Sequence, residues 1–364
     1  MDKNLEPTTR LTAVWRSAGN LDLLSQNIPN LGDKEVLIKV RACTICGSDI
    51  RIFNHGNDRV ESGQIVGHEI AGEVHKVGAL VNEWKPGDRV SIGADVPCAT
   101  CVHCIEGRPN CCETNYAIGH QFEGGFSEYM ILNEITLSVG PIRRLSKEIR
   151  YEMAALAEPL ACCINGYERC FVSPGRSVVI FGAGPIGIML AMLGRYYDAC
   201  RIVVVEPNAD RLKKAEELEI ADVYINPSSK DPVTEISRIT SSQGADIVFT
   251  ACPVPDVHEQ AIQIVGKRGF VNFFGGLPKG ARSINLESNT LHYREAYVTG
   301  SHGSTPAQHS LAVDLIERGI LKLDKLVTDS FPLSEINKAY QKAASGEAIK
   351  VVVTPHDNEV KERI

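Results

Sequence analysis

The chain has 364 residues, 43% hydrophobic and 23% charged, with a formal net charge of −7. That length suffices for two domains with cores of their own, and the composition is that of an ordinary soluble globular protein. An acidic balance with no long basic run argues against a nucleic-acid or anionic-membrane partner.

The first residues, MDKNLEPTTR, are polar and carry no signal-peptide core. With no export signal, the twelve cysteines imply a reducing cytoplasm, where thiols serve metals or cores. From about residue 11 to 140 the pattern reads as short β segments with long loops. Glu35 to Arg41 alternates at period two, and glycine turns recur, as at Lys85-Pro86-Gly87-Asp88. Cys46, His68 and Glu69 in this stretch, with Glu158 further on, offer sulfur, nitrogen and carboxylate. Catalytic zinc takes three such protein ligands and keeps a position for water or substrate. Singly, each has an ordinary reading: a buried thiol, a satisfied histidine, solvated carboxylates. Spacing alone does not join them.

Cys98, Cys101 and Cys104 are spaced C-x2-C-x2-C, and Cys112 follows after seven residues. Thiolates this close converge on one tetrahedral ion, and zinc is the usual guest of four sulfurs. Disulfides do not suit a chain without an export signal. An iron–sulfur cluster stays open, although no cysteine–proline run follows the fourth cysteine. Cys111 competes with Cys112 for the site. His103 lies inside the loop, yet four sulfurs already complete it. The other nine histidines, His68 apart, take the ordinary reading, with His302 a weaker candidate for facing substrate.

After Arg150 the pattern changes. Ser177 to Phe181 reads as a buried strand, Ile186 to Leu193 as a helix, and Arg201 to Val205 as a second strand. Arg211 to Leu218 reads as an amphipathic helix. Ala245 to Thr250, Gly269 to Phe274 and Ala296 to Thr299 supply further strands. This alternation predicts a doubly wound parallel sheet. The most apolar stretch, Val178 to Leu193, is short and broken by glycines and Pro185, so it predicts no transmembrane helix. A helix over Ser310 to Arg318 and a strand over Lys350 to Thr354 follow.

Gly182-Ala183-Gly184-Pro185-Ile186-Gly187 is G-x-G-x-x-G between a buried strand and a helix, the context that makes the pattern meaningful. The first glycine permits the tight turn, the second lets backbone approach a pyrophosphate, and the third allows close helix–strand packing. The helix N-terminus adds free N–H groups and partial positive charge. Glu206 ends the next strand, where an acid accepts ribose hydroxyls and repels a 2′-phosphate; NAD is favoured over NADP.

Together these residues resemble the zinc-dependent medium-chain dehydrogenases. Gly67-His68-Glu69 with Gly72, Gly78 and Val81 matches that family's zinc signature, and Cys46-Gly47-Ser48-Asp49 is similar to its first ligand motif. The four-cysteine loop, Gly124-Gly125-Phe126-Ser127-Glu128-Tyr129 and the glycine turn follow in family order. Glu158-Pro159-Leu160 resembles the sorbitol (L-iditol), sugar-alcohol and threonine dehydrogenase branch. The resemblance implies a GroES-like β-rich catalytic domain over residues 1–162, with a structural zinc loop at 98–112. It implies a Rossmann coenzyme domain over 163–302 and a segment, 303–364, returning to the catalytic domain. It implies two zinc ions, a catalytic one on Cys46 and His68 with Glu69 or Glu158, and a structural one on the four cysteines. Asp49 would orient His68, Ser48 would bond the substrate oxygen and start a proton relay, Arg211 would approach the ribose, and Lys350 would sit at the pyrophosphate. Homodimers and homotetramers are usual for the family. Two departures stand out: Arg51 where many relatives have histidine, and Phe249-Thr250-Ala251-Cys252-Pro253 where relatives often carry an acid and a glycine. The function implied is reversible, NAD-linked oxidation of a secondary alcohol in a polyol, cyclitol or sugar alcohol. A threonine or simple secondary-alcohol dehydrogenase is the alternative within enzymes. A NAD(H)-binding structural or regulatory protein is the alternative outside them.

Overall fold

The computed structural model describes residues 7–356; residues 1–6 and 357–364, with the polar start of the chain, lie outside it. The chain divides into two compact units, residues up to Ala161 with those from Gly303 onward, and Cys162–His302. The division falls inside the helix Ala157–Arg169.

The first unit is built on a seven-stranded, mostly antiparallel sheet. Its order is Ile142–Arg144, Arg89–Ile92, Glu69–Val77, Val36–Thr44, Lys350–Thr354 and Val327–Pro332, with Tyr129–Leu132 also on Val36–Thr44. The alternation read at Glu35 to Arg41 puts Val36, Ile38 and Val40 in the core, while Lys39 and Arg41 are half-buried. The strand runs on to Thr44, beyond the alternating stretch. The C-terminal strand Lys350–Thr354 enters this sheet with Val353 opposite Cys43. Leu333, Ile336, Tyr340, Val351 and Val353 share one apolar core with Val36, Ile70 and Phe126. Burial of such side chains contributes roughly 1.5–3 kcal/mol each, which explains why the end of the chain returns to its first half.

The second unit is a six-stranded, all-parallel sheet in the order Val223–Ile225, Arg201–Val205, Ser177–Phe181, Ala245–Thr250, Val265–Phe273, Tyr297–Gly300. This is the doubly wound order 3-2-1-4-5-6. The strands at Ser177, Arg201 and Ala245 have the bounds predicted from apolar runs. The strand Val265–Phe273 starts earlier than predicted, because Gly266 and Arg268 interrupt its apolar run without ending its pairing. Among the described residues, no helix is long and apolar enough to cross a membrane.

Candidate active site and metal centres

The strand register assembles the reactive cluster. Val36–Thr44 pairs antiparallel with Glu69–Val77, setting Thr44 opposite Glu69. Cys46 follows that first strand as N-cap of the helix Gly47–His55, and His68 immediately precedes the second strand. Both therefore emerge at the same edge of the sheet. Gly67 turns the chain into His68 with φ +93°, and a Cβ there would lie 2.8 Å from Phe126 and 2.9 Å from the Cys43 sulfur. No side chain fits at that position. The ligating atoms of Cys46, His68 and Glu69 all lie within 4.8 Å of one another.

Asp49 organises this group. One oxygen, Oδ2, accepts from the Cys46 backbone N–H at 2.9 Å; the other stands 3.3 Å from His68 Nδ1. That contact turns His68 Nε2 toward the cluster, and the Ser48 hydroxyl lies 3.2 Å from Nε2. A carboxylate on the far ring nitrogen is how ligating histidines are oriented. Burial pushes the His68 pKa down, but the Asp49 carboxylate outweighs burial and holds it well above its ordinary value.

Glu69 is fully buried; Thr44 donates its hydroxyl to Oε2, and Lys350 Nζ donates to Oε1 at 2.7 Å. Lys350 is itself 4% exposed. Strand register carries it into the sheet, where its buried ammonium pairs with the Glu69 carboxylate. Glu158 is buried as well and does not join the group of three. Burial first, then Glu69 and Asp95, push its carboxyl up to about 8. A crowd of buried acids around one thiol and one imidazole is a donor set suited to a divalent cation, which would neutralise it.

The four-cysteine loop fits a tetrahedral ion more directly. Cys98, Cys101, Cys104 and Cys112 have their sulfurs within 4.8 Å of one another. Four sulfurs each about 2.3 Å from one zinc stand about 3.8 Å apart; here Cys98–Cys104 is 3.9 Å and Cys101–Cys104 is 3.5 Å. Backbone N–H groups of Cys101 and Cys98 already donate to Cys98 and Cys112 sulfurs at 3.3 and 3.2 Å. Hydrogen bonds from Thr100 bring the Cys98 thiol down to about 5, while burial and the sulfurs of Cys101 and Cys112 push Cys104 up to about 12. Uncompensated, such crowded thiols cannot all ionise; a cation lets them. Cys112 belongs to the group; Cys111, which is exposed, and half-buried His103 do not.

In the second unit, Gly182 takes φ +109°, and a Cβ on Gly187 would meet Gly182 O at 1.9 Å, so both glycines of the turn are required. Gly184 caps the helix Pro185–Tyr196, which starts with Pro185 and Ile186. Glu206 accepts from Ala183 N at 2.7 Å and Asn208 N at 2.9 Å, which fixes its buried carboxylate beside the turn. Arg211 lies in the first turn of the helix Ala209–Glu217. Thr250 is fully buried, and its carbonyl accepts from Gly275 N at 2.7 Å. His302 is half-buried and accepts through its carbonyl from Asn165.

Two participants escaped the sequence reading. Thr44 is visible only through its register with Glu69. His120, given the ordinary reading, has its ring centroid 6.2 Å from that of His68. The one local hint was its place directly after Gly119, which takes φ +77° and packs on Gly67. Burial and the His68 charge push His120 down to about 4.

Comparison with known proteins accords with this geometry. The alcohol dehydrogenase GroES-like domain model matches residues 32–141, and the zinc-binding dehydrogenase model matches residues 185–318. A sorbitol dehydrogenase of Halalkalibacterium halodurans is 31% identical, covering 95% of this chain and 99% of its own length. The chain belongs to the zinc-dependent medium-chain dehydrogenases. An L-threonine 3-dehydrogenase of Thermococcus kodakarensis is also 31% identical, over 95% of this chain and 99% of its own. A D-arabitol-phosphate dehydrogenase of Enterococcus avium is 29% identical over 99% and 100%. Among solved structures, a zinc-binding dehydrogenase from Sinorhizobium meliloti bound to NADP superposes with a TM-score of 0.88 at 28% identity, covering 96% of this chain and 100% of its own.

Proposed function

We propose that this dehydrogenase is a zinc-dependent, NAD-linked enzyme that reversibly oxidises a secondary alcohol of a polyol, cyclitol or sugar alcohol to the ketone. The observation that carries the reading is the set of half-buried Cys46 with buried His68 and Glu69, their ligating atoms within 4.8 Å of one another, with Glu158 and Ser48 beside it. Cys46, His68 and one of the two carboxylates would hold the catalytic zinc, and Cys98, Cys101, Cys104 and Cys112 the structural one. The catalytic ion would supply Lewis-acid polarisation of the substrate hydroxyl, and the nicotinamide a hydride acceptor. Asp49 keeps His68 in one tautomer and orientation. The Ser48 hydroxyl, next to His68 Nε2 and half-exposed, would take the proton leaving the substrate oxygen while releasing its own to water. Arg51 is exposed on the helix Gly47–His55, and a guanidinium does not pass on a proton near neutral pH. Glu206, Arg211 and the turn Gly182–Gly187 would hold the coenzyme. The proposal includes homodimeric or homotetrameric assembly and a reducing cytoplasmic setting.

Polar groups support a polyhydroxylated substrate. The half-buried Ser48 hydroxyl and His120 ring, both beside His68, offer hydrogen-bonding groups that suit a ligand with several hydroxyls better than an apolar alcohol. The T. kodakarensis relative favours a second reading, L-threonine oxidation. The test is a panel of sorbitol, xylitol, galactitol 1-phosphate, threonine and 2-butanol with NAD, read at the NADH absorbance. The highest catalytic efficiency is expected with a polyol; threonine or 2-butanol leading the panel overturns the reading.

A further inference from the structure

The loop 115–122 holds a histidine beside the reactive cluster in one orientation. Its anchors are backbone and amide contacts. Ile118 bridges to Phe122, and Gly119 lies so close to the strand entry that a Cβ there would sit 2.9 Å from Gly67 O and 3.1 Å from Gly67 N. Gln121 donates to Arg59 O at 3.2 Å and accepts from Ala117 N at 3.0 Å. Gly67 is the residue before His68, so this packing sets His120 against the imidazole of His68, tilted by 55°.

The state of the His120 ring follows from its partner. Nδ1 lies 3.5 Å from Ile118 O. A carbonyl only accepts, so in the neutral ring Nδ1 carries the proton and Nε2 is left with its lone pair. Nε2 has no hydrogen-bond partner among the described residues. A half-buried acceptor therefore stands one side chain away from the His68 ring.

We propose that His120 Nε2 is a specificity-determining acceptor, taking a hydrogen bond from a hydroxyl on the carbon next to the one oxidised. The inference rests on the polyol reading and deepens it: the substrate class becomes the vicinal diol unit. A mono-alcohol of the same skeleton offers no second donor and leaves Nε2 unpaired. A phosphate or carboxylate at that carbon would meet a lone pair with its own lone pairs, so anionic substituents are disfavoured there.

The test compares butane-2,3-diol with 2-butanol, which differ by that hydroxyl, in wild type, His120→Phe and His120→Gln, each with its zinc content and far-UV circular dichroism checked. The ratio of kcat/KM for diol over mono-alcohol is expected to fall at least about fivefold in His120→Phe, mainly through KM for the diol. His120→Gln, whose amide oxygen can accept, is expected to recover part of the ratio. A merely structural histidine would lower both substrates together. A ratio changing by less than about fivefold in His120→Phe, or an equal loss in His120→Gln and His120→Phe, overturns the inference. If wild type oxidises neither the diol nor any polyol, the polyol reading itself fails, and this inference falls with it.

Discussion

Both carboxylate oxygens of Glu206 accept backbone N–H groups, so its charge is held in place before any coenzyme arrives. A 2′-phosphate brought against it meets a like charge at a cost of several kcal/mol. The expected result is a preference for NAD over NADP of roughly a hundredfold or more, which Glu206→Ala reduces to about tenfold or less. Comparable catalytic efficiency with NADP in the wild type would sink this assignment; the S. meliloti structure with NADP makes the measurement pointed. The Lys350–Glu69 pair is a second case of placed charge, 2.7 Å apart with both partners buried. Removing Lys350 leaves the Glu69 charge in the core with only the Thr44 hydroxyl, so Lys350→Met should cost about 3–5 kcal/mol in urea unfolding of the metal-free protein. Adding Glu69→Gln should recover much of it. An unchanged midpoint for the single variant would show that the pair contributes nothing.

At the level of elements, the two metal centres are expected to differ in role. The four-sulfur loop is closed, and binding in such sites is worth on the order of 10 kcal/mol or more. Cys98→Ser should bring zinc from two ions per chain to one and lower the melting temperature. Cys46→Ser should abolish turnover while the far-UV spectrum is retained. One zinc per chain in the wild type, or an unchanged melting temperature in Cys98→Ser, would refute the division. In the parallel sheet, Asp246 clasps the strands Ser177–Phe181 and Ala245–Thr250. It accepts from Ser177 N at 2.8 Å, Ser177 Oγ at 2.7 Å and Arg176 at 2.9 Å. Burial pushes its carboxyl up, but these donors outweigh burial and hold it below the usual range. A depressed folded-state pKa stabilises above the unfolded value, about 3.9, and the benefit is lost as pH falls through the folded value. Asp246→Asn should therefore cost about 1–2 kcal/mol at pH 7, with the gap to wild type closing below about pH 4. A gap that is constant with pH would mean the carboxylate's charge plays no part.

At the scale of the whole chain, two separate cores imply two reporters. Both tryptophans, Trp15 and Trp84, belong to the β-rich unit, while the parallel sheet has an apolar core of its own around Val179, Val203, Val248 and Val271. Chelating zinc should lower the thermal midpoint seen by tryptophan fluorescence more than that seen by helical circular dichroism; equal shifts would show one cooperative unit. What was legible from the residues alone follows the same line between local and distant. The cysteine loop and the glycine turn are each contained in a short stretch, so covalent spacing sets their geometry, and their chemistry was readable from residue types in order. The apolar runs at Ser177, Arg201 and Ala245 marked buried parallel strands for the same reason. The reactive cluster was readable only by resemblance, because Cys46, His68 and Glu69 meet through the register of two antiparallel strands, which no spacing encodes. Lys350 meets Glu69 across 281 residues, a pairing that only the strand register reveals. His120 reached His68 through the packing of Gly119 on Gly67. The sequence by itself thus marked the change of pattern after Arg150, the clustered cysteines and the glycine turn. Tertiary structure alone decided which charges face one another, because a pair's energy depends on distance and burial, and both are set by chain segments far apart in order.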